Sequence, residues 1–82
     1  MTVSLSKDAQ RQFKKLPKAD QLKISKKLSA LQINPGLGKK LSGELLGIRS
    51  LRVWPYRILY EINIKQKRIE VHKIAHRQGV YK

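Results

Sequence analysis

Residues 48–82 read IRSLRVWPYRILYEINIKQKRIEVHKIAHRQGVYK, and much of the fold can be predicted from their pattern. Hydrophobic and polar side chains alternate with the two-residue period of half-buried strands. We expect three strands here, which span Arg49–Trp54, Tyr56–Asn63 and Arg68–Ala75. One face of the resulting sheet is apolar. The opposite face carries Arg52 and Arg57 on neighbouring strands, which predicts a basic surface.

The last strand leads into residues that can bind anions or exchange protons. His76, Arg77 and Tyr81 follow at its end. Together with Arg52 and Arg57 they predict a cluster of cations with acid–base partners.

The facing of the last strand is ambiguous from its sequence. Ile69 and Val71 fall on one side, whereas His72 and Ile74 fall on the other. Apolar residues on both sides are consistent with a strand that is buried on both faces. We expect His72 itself to be structural or solvent-facing.

A short strand and two helices are expected upstream. The predicted bounds are Thr2–Ser6 for the strand, and Lys7–Leu16 and Asp20–Ile33 for the helices. The apolar residues of the first helix recur at i, i+4 and i+7, so one stripe faces the core. Pro17 separates the helices, and Asn34–Gly38 ends the second, because proline cannot continue a helix and glycine permits positive φ.

This order of elements predicts the fold class. Strand, helix, helix and three strands, β-α-α-β-β-β, indicate an α+β domain in which a helical hairpin packs on one face of a small, antiparallel-rich sheet. We expect residues 1–82 to form one domain, because a chain of this length has no room for a second core. The other face of the sheet stays open to a ligand.

Composition points to a polyanionic partner. The 82 residues include 19 Lys and Arg against five Asp and Glu, a formal charge of +14, which favours nucleic acid first and an acidic protein second. The chain has no cysteine and two histidines, so we expect neither structural zinc nor another cofactor. No stretch approaches the roughly 20 apolar residues of a membrane span, and no secretory signal is present, so we expect a cytoplasmic protein without a membrane partner.

Four segments together resemble the RelE/ParE superfamily of small toxins from type II toxin–antitoxin pairs. They are FKKLP at Phe13–Pro17, KLSG at Lys40–Gly43, RVWPYRILYE at Arg52–Glu61 and HRQGVY at His76–Tyr81. Their order and spacing span nearly the whole chain. The resemblance implies the RelE-like fold, and a cognate acidic antitoxin as partner.

For the RelE-like branch the resemblance also implies an activity. Members of that branch are endoribonucleases, mRNA interferases that cut messenger RNA in the ribosomal A site and so inhibit translation. They use the 2′-hydroxyl of the RNA as nucleophile and need no metal. The implied partners of this chain are therefore mRNA and the ribosome with its rRNA.

The candidate catalytic residues suit that chemistry. Attack on a phosphodiester builds negative charge on the phosphoryl oxygens, and we expect Arg52, Arg57 and Arg77 to stabilise it, because guanidinium groups are planar, permanently charged and bidentate. Proton transfer needs a group whose protonation can change, and the candidates are His76 and Tyr81. Expected RNA-binding residues are Arg49, Trp54, Lys73 and Lys82.

Other interpretations of these residues are open. Arg52 and Arg57 could be solvated or paired with Glu61 and Glu70, and His76 could hydrogen-bond locally at a strand end.

The aromatic residues allow a similar choice. Tyr56 and Tyr60 fall on the apolar face, which favours core packing over base stacking. Trp54 could stack on a base or cover the edge of the core.

Two other functions compete with mRNA cleavage. A ParE-like toxin would inhibit DNA gyrase by binding it, without catalysis. A degenerate member would be a non-toxic binding module. The arginine-rich cluster favours the RNA function, because a protein target would not require that set of residues.

Overall fold

Two helices cover one face of a five-stranded mixed sheet. The computed structural model describes residues 1–41, 43 and 47–76. Its elements are β1 (Thr2–Leu5), α1 (Lys7–Lys15), α2 (Lys18–Ile33), a 3₁₀ turn (Pro35–Leu37), β2 (Lys39–Lys40), β3 (Arg49–Val53), β4 (Tyr56–Asn63) and β5 (Arg68–His76). The strand order is β1-β5-β4-β3-β2, with β1 parallel to β5 and the other pairs antiparallel.

The predicted α+β architecture is confirmed, with differences in detail. β1, α1 and β3 each end one residue earlier than expected. β4 has the predicted bounds, and β5 runs one residue further than expected. β2 was not predicted, because two lysines are too short to show a period. α2 begins at Lys18 rather than Asp20, since Pro17 takes an extended conformation (φ −56°, ψ 150°) and allows a helix to start directly after it.

Local hydrogen bonds fix the two ends of α1. The Ser6 hydroxyl accepts the N–H of Ala9 at 3.0 Å, which caps the helix, and donates to the carbonyl of His72 on β5 at 2.9 Å. At the other end, the Gln21 side chain donates to the carbonyls of Phe13 and Leu16. The helical hairpin is therefore tied both to its own turn and to the sheet.

A β-bulge resolves the facing of β5. Leu59 pairs with Lys73 but Tyr60 pairs with Val71, so His72 is an extra residue on β5. The extra residue shifts the alternation, and Ile74 joins Val71 on the helix-covered face. Both are at most 2% exposed.

The core lies between this face and the helices. Its fully buried members of largest volume are Tyr60, Ile24, Leu31, Ile58, Ile69 and Val71. Among the helices of the described residues, none is both long and apolar enough to cross a membrane.

Candidate nucleic-acid interface

Arg52 and Arg57 lie directly opposite each other on β3 and β4. Side chains in such a pair share one face of the sheet, with Cβ atoms about 4.5–5.5 Å apart. This face is opposite the helices, because the neighbouring β4 residues Tyr56 and Ile58 point into the core. Two permanent positive charges are thus held side by side on the face that the helices leave uncovered.

The same face carries two lysines. Lys73 pairs with Leu59, and Lys39 pairs with Ser50; both partners are two residues from an arginine and so face the same way. We call the surface formed by Lys39, Arg52, Arg57 and Lys73 the arginine face. Its concentration of positive charge suits an anionic ligand.

The carboxylates considered as partners for these arginines bond to other residues. The Glu61 carboxylate contacts the His72 ring, with 2.7 Å between Oε1 and Nε2. Glu70 accepts a hydrogen bond from Arg68 at 2.8 Å. Both contacts lie further along the sheet than the cross-strand pair of Arg52 and Arg57.

His76 lies on the other face of the sheet. It pairs directly with Tyr56, and the two rings meet edge to face with centroids 5.8 Å apart. The Tyr56 hydroxyl donates to Asp20 on α2 at 2.7 Å, which places this pair on the helix side. The expected grouping of His76 with Arg52 and Arg57 is therefore wrong, because the bulge at His72 shifts the alternation of β5. Its role in proton transfer stays a prediction.

The bulge instead brings the second histidine to the side of Arg57. His72 is held by Glu61, which is four residues from Arg57 and on the same face. The sequence did contain a signal for the bulge. Val71 and Ile74 are both apolar but three positions apart, and a bulge between them places both on one face.

Arg49 also lies away from the arginine face. It pairs with Tyr60 on β4 and with Lys40 on β2, and its guanidinium donates to the carbonyl of Gly38 at 2.9 Å. The face on which Arg49 lies could have been predicted from the sequence, because Arg49 and Arg52 are three positions apart on one strand and so face opposite ways. Arg49 thus anchors the segment that follows the 3₁₀ turn.

Both tyrosines of β4 have structural roles, as the core interpretation predicted. Tyr60 is fully buried; its hydroxyl donates to the carbonyl of Pro35 at 2.7 Å and accepts the N–H of Gly38 at 2.8 Å. Tyr56 is half-buried against the core and bonded to Asp20. Tyr60 therefore joins the sheet to the end of the helical hairpin.

The pKa of Tyr60 is raised above its usual value. Burial is the main cause, and the hydrogen bond from Gly38 and the charge of Arg49 act in the opposite direction. The folded protein thus keeps the proton that the unfolded chain loses above about pH 10.

We expect the free energy of unfolding to fall as the pH rises above about 10, because the unfolded state then binds fewer protons than the folded state. Tyr60→Phe removes this contribution, so its stability should decline less steeply from pH 9 to 11. Urea unfolding of both proteins across this range measures the difference, and the comparison cancels the titration of the lysines. Parallel declines would contradict the expectation.

The remaining predicted residues fall into two groups. Trp54 lies in the turn between β3 and β4, before a cis peptide bond to Pro55, and is 57% exposed. Its ring is thus accessible beside β3 and β4, the strands that carry Arg52 and Arg57. Arg77, Tyr81 and Lys82 lie outside the described residues.

The arginine face can bind a phosphate group through charge and hydrogen bonds. Within the residues that the structure describes, no group of three or more His, Cys, Asp or Glu side chains is placed to hold a metal ion. The arginine face offers fixed cations with a nearby histidine–carboxylate pair.

Comparisons with known proteins place this arrangement in context. Residues 3–81 match the model of the ParE toxin family, "ParE toxin of type II toxin-antitoxin system, parDE". No curated protein sequence matched the chain significantly.

Several solved structures share the fold. The toxin–antitoxin complex RelBE2 from Mycobacterium tuberculosis contains a chain with 30% sequence identity and a TM-score of 0.85, and the match covers 92% of this chain and 95% of that one. The archaeal RelE–RelB complex from Pyrococcus horikoshii matches at 25% identity and a TM-score of 0.78, over 96% and 97% of the two chains. The isolated RelE toxin of E. coli, at 18% identity and a TM-score of 0.80 over 92% and 82%, shares the fold.

Proposed function

This chain belongs to the ParE toxin family of type II toxin–antitoxin systems, and we propose that as a toxin it cleaves mRNA on the ribosome. The observation that carries this proposal is the directly opposed pair Arg52 and Arg57 on the uncovered sheet face. The similarity to RelE-containing complexes, at 30% and 25% identity, favours the RelE-like activity.

The proposed reaction uses the RNA as its own nucleophile. The 2′-oxygen attacks the adjacent phosphorus, the bond from phosphorus to the 5′-oxygen breaks, and the products are a cyclic phosphate and a 5′-hydroxyl. Negative charge grows on the non-bridging oxygens in the transition state. Arg52 and Arg57 stabilise that charge, because their guanidinium groups are already in place when it develops.

Two protons move in this reaction. One leaves the 2′-hydroxyl and one is delivered to the 5′-oxygen, so a base and an acid are needed. We retain His76 and Tyr81 as candidates for these roles, and Arg77 as a third cation at the phosphate. Trp54, Lys73 and Lys82 would bind flanking RNA, since an aromatic ring stacks on bases and lysines neutralise phosphates.

An antitoxin is the expected protein partner. The M. tuberculosis structure is a toxin–antitoxin complex, RelBE2, and the P. horikoshii structure is a RelE–RelB complex. The formal charge of +14 favours an acidic chain, because opposite charge accelerates association and excludes basic partners.

Inhibition of DNA gyrase is the second candidate. The matching family model is that of ParE toxins, which is the observation in its favour. Such a toxin would bind a protein and would not need the two opposed arginines, so their placement supports cleavage.

Primer extension tests the proposal. A defined mRNA is bound in 70S ribosomes and incubated with the protein, alongside the same RNA without ribosomes. We expect cuts within the A-site codon that require the ribosome. A folded protein that arrests growth without cutting the mRNA would contradict the proposal, and inhibition of gyrase supercoiling by that protein would support the second candidate.

A further inference from the structure

The edge strand β2 carries positive charge to both sides of the sheet. Lys39 pairs with Ser50 and therefore faces the same way as Arg52, whereas Lys40 pairs with Arg49 and faces the other way. Both lysines are exposed, and β2 is the last strand of the sheet. Lys39, Lys40 and Arg49 thus form a strip of cations that passes around this edge from the arginine face.

A pocket lies where the strip ends. It has a volume of about 280 Å³, and we call it the edge pocket. Its lining residues are Lys40, Leu41, Gly47, Ile48 and Arg49. Two of these are cations on adjacent strands, and the N–H of Leu41 donates to the carbonyl of Ile48 at 3.0 Å, which holds the two strand ends together.

Arg49 is fixed in a manner that suits anion binding. Arg49 is half-buried, and within the described part of the chain its guanidinium donates a hydrogen bond, at 2.9 Å, to the carbonyl of Gly38. A guanidinium has five N–H donors in a rigid plane, so this bond orients the group and uses one of them. An oriented guanidinium loses little conformational entropy when it binds a phosphate.

Among the described residues, an acid that lies close to this pocket is already bonded. A Cβ atom added to Gly47 would lie 3.9 Å from the Glu61 carboxylate, so that carboxylate is near the rim. His72 contacts Glu61 at 2.7 Å. That carboxylate therefore already has a hydrogen-bond partner.

We propose that the edge pocket binds a backbone phosphate of RNA between Lys40 and Arg49. The inference rests on the proposed function, because it extends the RNA path from the arginine face around β2. RNA that occupies both places would contact two faces of the sheet at once. Specificity for sequence is not required, since lysine and arginine would contact the backbone alone.

The salt dependence of RNA binding tests this site. Binding of a fluorescein-labelled uridine dodecamer is followed by anisotropy from low to moderate salt. Each phosphate contact on a single strand contributes about 0.7 to the slope of log K against log salt. We expect Lys40→Gln to lower the magnitude of the slope by about 0.7, because it removes one cation and leaves the Arg49 contact to Gly38 in place.

Lys27→Gln is the matched control, because it neutralises an exposed lysine of α2 that is not in the strip. We expect the slope of this variant to equal that of the wild type. Thermal unfolding of both variants verifies that the fold is retained. Equal slopes for Lys40→Gln and Lys27→Gln, or a wild-type protein that does not bind the dodecamer at low salt, would overturn the site.

The result can be separated from that of the primer-extension assay. A lowered slope without cleavage on ribosomes would remove the proposed function and keep the phosphate site. An unchanged slope with intact cleavage would remove the phosphate site and keep the proposed function. Binding of polyglutamate that depends on Lys40, with an RNA slope that does not, would assign the pocket to an acidic protein and overturn the RNA assignment.

Discussion

Replacement of Arg57 by alanine is expected to slow cleavage of ribosome-bound mRNA by about 10²–10³-fold, the usual effect of losing one preorganised donor at a developing oxyanion. Arg57 lies directly opposite Arg52, so its removal leaves Arg52 as the remaining guanidinium of this cross-strand pair. Single-turnover cleavage of mRNA in 70S ribosomes measures the effect. Arg57→Lys should restore only part of the rate, because an ammonium keeps the charge and loses the bidentate geometry.

Arg11→Ala supplies a matched control for the loss of one arginine. Arg11 lies on α1, where it pairs with Asp8, and its side chain is 70% exposed. We expect its cleavage rate to stay near the wild-type value. Equal rates for Arg57→Ala, Arg11→Ala and the wild type, in folded proteins, would remove Arg57 from the site.

Gly38→Ala is expected to have the largest effect on stability. A Cβ at this position would lie 2.6 Å from the hydroxyl oxygen of Tyr60 and 2.7 Å from a ring carbon. The Tyr60 ring is fully buried and cannot move aside, so the cost is that of an overpacked core, about 1–3 kcal/mol. Displacement of Tyr60 would also break its bond to the Gly38 N–H.

Gly36 offers a control in the same turn. A Cβ there would approach Asn34 Oδ1 at 3.5 Å, which is ordinary van der Waals contact. Gly36→Ala should therefore leave the protein as stable as the wild type, or slightly more stable, since alanine reduces the entropy of the unfolded chain. Thermal unfolding separates the two variants, because each kcal/mol shifts the Tm of such a domain by about 4–8 °C. Similar Tm values for both would show that Tyr60 does not confine Gly38.

The fold was predictable where a period runs long enough to be seen. β4 alternates over eight residues between a proline turn and a polar turn, and its bounds were predicted. β2 has two residues, and its place is set by pairing with β3, which leaves no local pattern. The start of α2 depends on the backbone of Pro17, because that residue permits a helix immediately after it.

The candidate site was predictable only in part, for one physical reason. The cross-strand placement of Arg52 and Arg57 follows from a short hairpin, whose turn fixes the register. The placement of His76 depends on the bulge at His72, since one extra residue reverses the face of everything after it. Bulges are set by pairing with a neighbouring strand, so strict alternation along β5 alone gave the wrong face.

The parallel pairing of β1 with β5 has a consequence for how this protein is made. Ser6 bonds to His72 across 66 residues of chain, and β4, which carries Arg57, is flanked by β5 in the sheet. Contacts so distant in sequence close late, because the loop entropy must be overcome before they form. During synthesis, β1 and the helical hairpin emerge long before the other strands of the sheet. We therefore expect the nascent chain to remain incompletely folded, and harmless to the ribosome that translates it, until β5 has left the exit tunnel.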